Sequence, residues 1–325
     1  MRTVAALGIV VVMLASVASP AHTSAPAVVR MAMFSQTPLV VTVGQAQGLF
    51  AKFGVEVVSN PRWTSKELRE GVASGEFDVV QSLVDNSIAT EVMLKAPTIV
   101  IVGGDTANNS ELVAQPEIKS IEDVKGTTVL VDSPDTAMAL QLRKILRTKG
   151  LEVDRDYKMM PFAQTQKRWE ALKTDKTYSA TMMSLSPEAR KLGFHALASA
   201  AQVVGPWMGS GLWTSRKFAE THSDALVGFL AGFVASQRWL RDPANEKAVV
   251  ELLAKEGDPD AAQRTYQRSY TGKNATYDPG FDVEGFKAVL ALRAEIEGTW
   301  GGKPPAPDRY YDLSYYKKAL ALLNK

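Results

Sequence analysis

The chain has 325 residues, and its 37 basic and 35 acidic side chains nearly cancel to a net charge of +2. No basic tract stands out, which argues against a nucleic-acid partner. The chain contains no cysteine, and this excludes disulfides, thiolate metal sites, a cysteine nucleophile and a lipid anchor on cysteine. A chain of this length can bury one large core or two smaller ones without such cross-links.

Residues 1–27 predict a cleaved secretory signal peptide. Arg2 precedes an apolar run over Val4–Val17, and small residues follow it, which is the typical order of such a signal. The run is shorter than the roughly 20 apolar residues of a membrane span. Cleavage after Ala21 and cleavage after Ala25 both fit, and an uncleaved N-terminal anchor is the alternative. We therefore expect a soluble exported product without a lipid anchor.

Strand-like and helix-like segments alternate along residues 28–103. Thr64 and Glu67 have the spacing of a capping box at the start of a helix that Gly75 ends. The apolar run Pro97–Gly103 shows no alternation, as expected of a strand buried on both faces. This rhythm predicts parallel sheets covered by helices. The remaining predicted strands are Val28–Phe34, Val55–Ser59 and Phe77–Ser82, and the other predicted helices are Pro38–Phe53 and Asp85–Leu94.

The alternation of strand-like and helix-like segments resumes after residue 115, and the chain is mostly helical after residue 214. Ser133-Pro134 is predicted to open a helix that runs to Lys149, because proline suits the first helical position. The predicted strands are Thr127–Val131, Asp156–Pro161, Tyr178–Leu185 and Gly211–Thr214. The other predicted helices are Gln164–Thr174, Pro187–Leu192, Asp224–Leu240, Asn245–Glu256, Pro259–Tyr270, Val283–Ile296 and Tyr315–Leu323, and Gly298–Pro307 is predicted to be a loop.

A faint internal similarity suggests two facing lobes. Glu76–Leu83 and Thr177–Leu185 are each an apolar strand that ends in Ser-Leu. On this interpretation lobe 1 contains residues 28–115 plus 206–325, and lobe 2 contains residues 116–205. The chain would cross between the lobes near Pro116–Ser120 and near Val204–Pro206.

The candidate binding residues follow the ends of the predicted strands and the second crossing, because ligands of open parallel sheets bind outside the carboxyl ends of the strands. These residues are mostly polar and uncharged, with two tryptophans among them, which suits a small solute held by hydrogen bonds and stacking. Each also has a structural interpretation, as a helix cap for Ser133 and Asp85, a hydrophobic staple for Trp63 or a core residue for Trp207. The set is Ser35, Gln36, Thr37, Trp63, Gln81, Ser82, Asn86, Asp105, Asp132, Ser133, Thr136, Ser184 and Trp207.

Signatures of the common enzyme classes are absent. The sequence has no G-x-S-x-G elbow, no G-x-G-x-x-G after a strand, no P-loop and no H-E-x-x-H. His195 and His222 are too scattered for a metal site or a catalytic triad, so both are interpreted as structural. We expect a binding protein with no cofactor and no metal. An exported hydrolase or lyase with a carboxylate base is the alternative.

Three stretches, one of them Gly71–Asp78, resemble the periplasmic solute-binding proteins of ABC importers, in the branch that binds sulfonates, nitrate, taurine and thiamine pyrimidines. Gly48–Val57, after the polar loop that ends at Thr37, is similar to the start common in this branch. Ile121–Val129 resembles the entry to the second lobe. The resemblance covers nearly all of the chain after residue 27. It implies the type II fold of this class, an α/β architecture of two lobes, each a sheet flanked by helices, with extra C-terminal helices.

The resemblance also implies a monomer that closes over a small organic solute and delivers it to a membrane permease. A sensor subunit that presents its ligand to a kinase ectodomain is a further alternative. Where many relatives have a glycine-serine pair, this chain has Asp132-Ser133-Pro134-Asp135, and this departure disfavours an anion. With Asp85 and Asp105, these carboxylates favour a neutral or cationic solute such as a nitrogen heterocycle. A sulfonate-like anion remains the alternative solute, because Arg62 also lies on a strand-end loop and its guanidinium can bind an anion.

Overall fold

Two five-stranded sheets flanked by helices form the framework of the protein. A computed structural model describes residues 25–104, 108–255, 258–272 and 278–324. The first sheet has the spatial order β2-β1-β3-β10-β4, and the second has the order β7-β6-β8-β5-β9. The strands of the first sheet are β1 (Ala27–Phe34), β2 (Val55–Arg62), β3 (Val79–Leu83), β4 (Thr98–Gly103) and β10 (Ser210–Ser215). Those of the second are β5 (Glu111–Ala114), β6 (Thr128–Val131), β7 (Lys158–Pro161), β8 (Tyr178–Met183) and β9 (His195–Ser199).

The two sheets are built alike, which confirms the predicted two-lobed architecture. In each, three neighbouring strands are parallel, and the fourth position holds an antiparallel strand: β10 beside β3, and β5 beside β8. Every residue of β4 is buried, as its continuous apolar run predicts. Strand β5 was not predicted. It lies in the range assigned to lobe 1, but it pairs with β8 and β9 of the second sheet, so the chain changes sheets between Gly103 and Glu111, before Pro116–Ser120.

The helices cover both faces of the sheets. The capping box is confirmed, since the Thr64 hydroxyl accepts a hydrogen bond from the Glu67 amide and the Glu67 carboxylate accepts one from the Thr64 amide. The α-helices are α1 (Leu39–Ala46), α2 (Ser65–Ser74), α3 (Asp85–Leu94), α4 (Ala137–Arg147), α5 (Thr165–Thr174), α6 (Pro187–Lys191), α7 (Ala200–Val204), α8 (Arg216–Thr221), α9 (Ser223–Arg241), α10 (Glu246–Ala254), α11 (Pro259–Tyr270), α12 (Val283–Glu297) and α13 (Ser314–Leu323). Single 3₁₀ turns lie at Ala51–Phe53, Glu122–Val124, Pro243–Asn245, Thr299–Gly302 and Pro307–Tyr310.

Two predicted helix bounds are wrong for local reasons. The helix predicted over Pro38–Phe53 ends at Ala46, since Gly48 has a φ of +64° and cannot continue the helix. The helix predicted to open at Ser133-Pro134 begins at Ala137, because the hydroxyl of Thr136 provides the N-cap. The predicted helix Asp85–Leu94 is confirmed at both ends.

Helices near the C-terminus pack against the first sheet, and one of them also contacts α4, which follows β6 of the second sheet. Helix α9 packs against β1 and α1, and its Phe229 shares one core cluster with Val29 and Met31. Helix α12 packs against α4, where Leu140 of α4 is buried in the same cluster as Phe286 of α12. Within the ranges given above, no helix is both long enough and apolar enough to cross a bilayer.

Candidate functional site

A cavity of about 500 Å³ lies where the carboxyl ends of strands from both sheets face each other. Strands β1, β2 and β3 reach it with their last residues, Phe34, Arg62 and Leu83. The second sheet contributes the residue after β6 and the segment that joins β7 to α5. The lining residues are Phe34, Ser35, Arg62, Trp63, Ser65, Leu83 and Asn86 on one side, and Asp132, Met138, Ala163, Gln164, Thr165, Gln166 and Arg168 on the other.

One wall of the cavity is aromatic and open to solvent. Trp63 is 53% exposed and Phe34 is 36% exposed, although both are large apolar side chains. Exposed aromatic faces at a cavity offer stacking surface to a planar or apolar ligand. Leu83 and Met138 add apolar contacts.

Ser35 has an unusual backbone at the end of β1. Its φ of 58° lies in the left-handed region, which for a residue other than glycine costs of order 1–3 kcal/mol and occurs often at binding sites. The Ser35 amide donates to the carbonyl of Arg62 at 2.8 Å, which fixes this turn against the end of β2. The turn places Ser35 in the lining beside Trp63.

Asp132 and Arg168 supply opposite charges on the second side of the cavity. Burial raises the pKa of Asp132, although a hydrogen bond from the Thr136 hydroxyl (2.6 Å) and the nearby charge of Arg168 both act to lower it. Burial lowers the pKa of Arg168, although the negative charge of Asp132 acts to raise it. The Arg168 guanidinium donates to the carbonyls of Phe162 and Ala163 and so shapes the segment before α5. Arg168 is 2% exposed and also donates to the Thr165 hydroxyl at 3.1 Å, so its charge reaches the cavity from an internally bonded position.

The loop between β6 and α4 is stabilised from within. The Ser133 hydroxyl donates to Asp135 at 2.6 Å, and the Thr136 hydroxyl donates to Asp132 while it caps α4. Ser133 and Thr136, both predicted to bind the solute, are not among the residues that line the cavity. They orient the loop that carries Asp132.

Two of the four carboxylates expected to set the charge of the cleft are neutralised by arginines. Asp85 accepts two hydrogen bonds from Arg293, at 2.9 and 2.6 Å, and Asp135 accepts one from Arg69 at 2.6 Å. The expectation of an acidic cleft is therefore wrong for Asp85 and Asp135. Asp105 lies outside the described residues, and Asp132 is the carboxylate among the described residues that lines the cavity.

The other predicted residues lie apart from the cavity lining. Gln36 is exposed and Thr37 half-buried in the turn after β1. Ser82 accepts a hydrogen bond from the Trp213 indole at 2.9 Å, and Ser184 donates to the carbonyl of Asn109 at 3.2 Å. Two predicted residues are internal: Trp207, which is 4% exposed, belongs to the core, and Gln81 has a buried side-chain oxygen without a hydrogen-bond partner among the described residues.

The structure thus brings Ser35, Trp63, Asn86 and Asp132 together around one cavity. Sequence reasoning missed Phe34, Arg168 and the segment 163–166, which also line it. The signal for the segment was present, because it follows the strand predicted at Asp156–Pro161 and the rule of strand ends applies to it equally. Within the described ranges, no three His, Asp or Glu side chains are grouped closely enough to hold a metal ion.

Comparisons with known proteins agree with this architecture. A model of the NMT1-like family matches residues 26–254. Among solved structures, the chain is similar to the periplasmic sulfonate-binding protein SsuA of Methylobacillus flagellatus KT, with 18% identity, a TM-score of 0.64, and coverage of 92% of this chain and 96% of that one. No curated protein matches the sequence.

Two further solved structures share the fold. The periplasmic nitrate-binding protein NrtA of Synechocystis PCC 6803 is 12% identical, with a TM-score of 0.66 over 92% of this chain and 89% of that one. The periplasmic aliphatic sulphonate-binding protein SsuA of Escherichia coli is 15% identical, with a TM-score of 0.63 over 90% of this chain and 99% of that one.

Proposed function

The chain belongs to the NMT1-like family, and from this premise we propose that it is the periplasmic substrate-binding component of an ABC importer. It captures a small organic solute between two lobes and delivers the solute to a membrane permease. The observation that carries the proposal is the cavity of about 500 Å³ lined from both sheets. The periplasmic relatives of the same fold are named for binding a sulfonate or nitrate, which supports the same class of role.

The two sheets define the lobes of this clamp. We assign residues 28–104 and 206–325 to lobe 1, since β10 pairs with β3 and β4, and residues 111–205 to lobe 2, because β5 pairs with β8 and β9. This retains the predicted second crossing and moves the first one ahead of β5. A cavity between two bodies can close by their relative rotation, which buries the ligand and creates a surface that a permease can recognise.

The solute that fits this cavity is planar or partly apolar, with hydrogen-bonding groups at one end. Trp63 and Phe34 offer the stacking wall, while Asp132 and Arg168 face it from the other lobe. Asp132 and Arg168 cancel in charge, and Arg62, which also lines the cavity, is paired with Glu76 at 2.7 Å. This balance favours a neutral nitrogen heterocycle whose donor meets Asp132. A sulfonate-like anion is the second candidate, because Arg168 attracts it, but Asp132 opposes it.

A thermal-shift screen tests the binding role. Neutral heterocycles, organic cations and sulfonates are added singly to the purified protein. A ligand at 100 times its Kd stabilises the folded protein by about 2.7 kcal/mol, which is readily measured. The role predicts a hit that remains chemically intact. Conversion of the hit in the same tube would support a hydrolase or lyase instead.

Trp63→Ala tests where the hit binds. Loss of one aromatic contact is worth about 0.5–1.5 kcal/mol, so Kd should rise about 2- to 13-fold by calorimetry. Stability should hold, since Trp63 is 53% exposed. Leu192→Ala is the control, because Leu192 is 50% exposed and does not line the cavity. Equal Kd values for both variants and the parent would place the solute elsewhere.

Export follows from the same proposal. We propose that residues 1–27 act as a cleaved signal, that the mature chain is a monomer and that it is not lipid-anchored. N-terminal sequencing of protein recovered from the periplasm distinguishes cleavage after Ala21 from cleavage after Ala25. Recovery of the intact N-terminus in the membrane fraction would support the uncleaved anchor.

A further inference from the structure

Two buried arginines of the first lobe contact one loop of the second. They are Arg69, on α2, and Arg293, on α12. The loop is residues 132–136, which joins β6 to α4 and carries Asp132 into the cavity. The contacts therefore cross the interface on which closure depends.

Arg293 is held in place by its own lobe. Its Nε and Nη2 donate to the two carboxylate oxygens of Asp85 at 2.9 and 2.6 Å, and the two side chains are 2% and 3% exposed. Burial works against the charge of Arg293, but the ion pair with Asp85, together with the charges of Glu297 and Asp135, raises the pKa of Arg293. From this fixed position Nη2 also donates to the backbone carbonyl of Asp135, at 2.9 Å.

Arg69 contacts the side chain of the same residue. Its Nη2 donates to the Asp135 carboxylate at 2.6 Å, and its Nη1 donates to Asn86 of the cavity lining at 3.3 Å. The Arg69 side chain is 6% exposed and that of Asp135 is 24% exposed. Asp135 thus receives one guanidinium on its side chain and another on its backbone.

A second set of contacts follows the same interface outward. On α4, Arg143 donates to the carbonyl of Ile296, and Lys144 pairs with Glu295 at 2.8 Å. Glu295 and Ile296 lie in the last turn of α12, where cations are favourable near the helix carboxyl terminus. The interface between α4 and α12 is therefore charged at its rim and carries the two arginines in its buried part.

We propose that Arg69 and Arg293 are positioning residues that form an interlobe latch on Asp135. They hold the 132–136 loop against lobe 1 and so set both the place of Asp132 in the cavity and the population of the closed form. Neither needs to touch the solute. The effect on affinity rests on the proposed solute-binding role, whereas the effect on lobe separation does not.

The latch predicts how affinity responds to its loss. If only a fraction of molecules is closed, the apparent Kd equals the intrinsic Kd divided by that fraction. A variant that lowers the closed fraction tenfold therefore raises Kd tenfold without loss of any ligand contact. The change should appear mainly in a faster dissociation rate, since a solute leaves when the lobes open.

Small-angle X-ray scattering of the solute-free protein tests the latch. Arg69→Gln and Asp135→Asn should each increase the radius of gyration relative to the parent. They should also speed amide hydrogen exchange in residues 132–136. Arg238→Gln is the matched control, because Arg238 makes a two-point ion pair with Asp278, at 2.9 and 2.6 Å, inside lobe 1. This control should leave both readouts unchanged.

The outcomes separate the two proposals. If both latch variants have the same radius of gyration and the same exchange rates as the parent protein, the latch is overturned, even if solute binding is confirmed. Expansion in both variants supports it, even if the screen yields no solute. Asp135→Asn keeps the test decisive if Arg69→Gln fails to fold, because Asp135 is the more exposed partner. With a screened hit, both variants should raise Kd roughly tenfold.

Discussion

Loss of Arg293 should destabilise the protein more than loss of any exposed ion pair. The substitution Arg293→Met keeps an unbranched apolar stem but is shorter, and it removes the guanidinium and its charge. The side chain of Asp85 is 3% exposed, so its carboxylate would stay buried and would lose both hydrogen bonds from Arg293. Removal of one partner of such a buried pair costs about 3–5 kcal/mol. The Asp135 carbonyl loses a donor as well, which places the expected cost toward the upper end of that range.

Urea unfolding followed by tryptophan fluorescence and far-ultraviolet circular dichroism measures this cost. The double variant Arg293→Met with Asp85→Leu is the informative partner, because replacing a whole buried pair with apolar side chains is often neutral or stabilising. It should recover most of the stability lost in the single variant. Arg238→Gln is the exposed control and should cost at most about 1 kcal/mol.

Two results would refute this reasoning. A cost below about 1 kcal/mol for Arg293→Met would mean that Asp85 is hydrated or repaired after the substitution. A double variant no more stable than the single one would mean that Arg293 contributes through its packing rather than through its charge.

Two other predictions concern α2 and Asp132. Thr64→Ala removes the capping hydroxyl of α2 and should lower stability by about 1 kcal/mol in urea unfolding; no loss would show that water replaces the cap. Burial raises the pKa of Asp132, so ionisation of this carboxyl costs stability as pH rises from the unfolded value of 3.8 through the folded pKa. Asp132→Asn should therefore match the parent near about pH 3 and exceed it at about pH 7, with a gain of about 1.4 kcal/mol for every tenfold difference between the folded and unfolded acid dissociation constants. A difference in unfolding free energy between Asp132→Asn and the parent that does not change between these pH values would contradict this prediction.

Local signals predicted much of the fold. The capping box at Thr64 and the continuous apolar run before Gly103 each encode their element within a few residues. Strand β5 escaped prediction since it has four residues, too few to show a period, and its partners β8 and β9 are more than 60 residues away in the chain. Its place is decided by nonlocal pairing.

The candidate site was predicted in outline and not in its charges. The rule of strand ends found Ser35, Trp63 and Asp132. It could not show that Asp85 pairs with an arginine 208 positions away, nor that Asp135 pairs with one 66 positions away. Both carboxylates were therefore interpreted as charges that face the solute. The left-handed backbone of Ser35 likewise has no signal in the sequence, because serine does not favour it.

Native mass spectrometry of the protein with its screened hit tests the central claim most directly. The account predicts one added mass per chain, equal to the intact compound, and a weaker adduct for Trp63→Ala than for Leu192→Ala. A mass that corresponds to an altered compound, or an adduct equally strong in both variants, would contradict capture of an unchanged solute in this cavity.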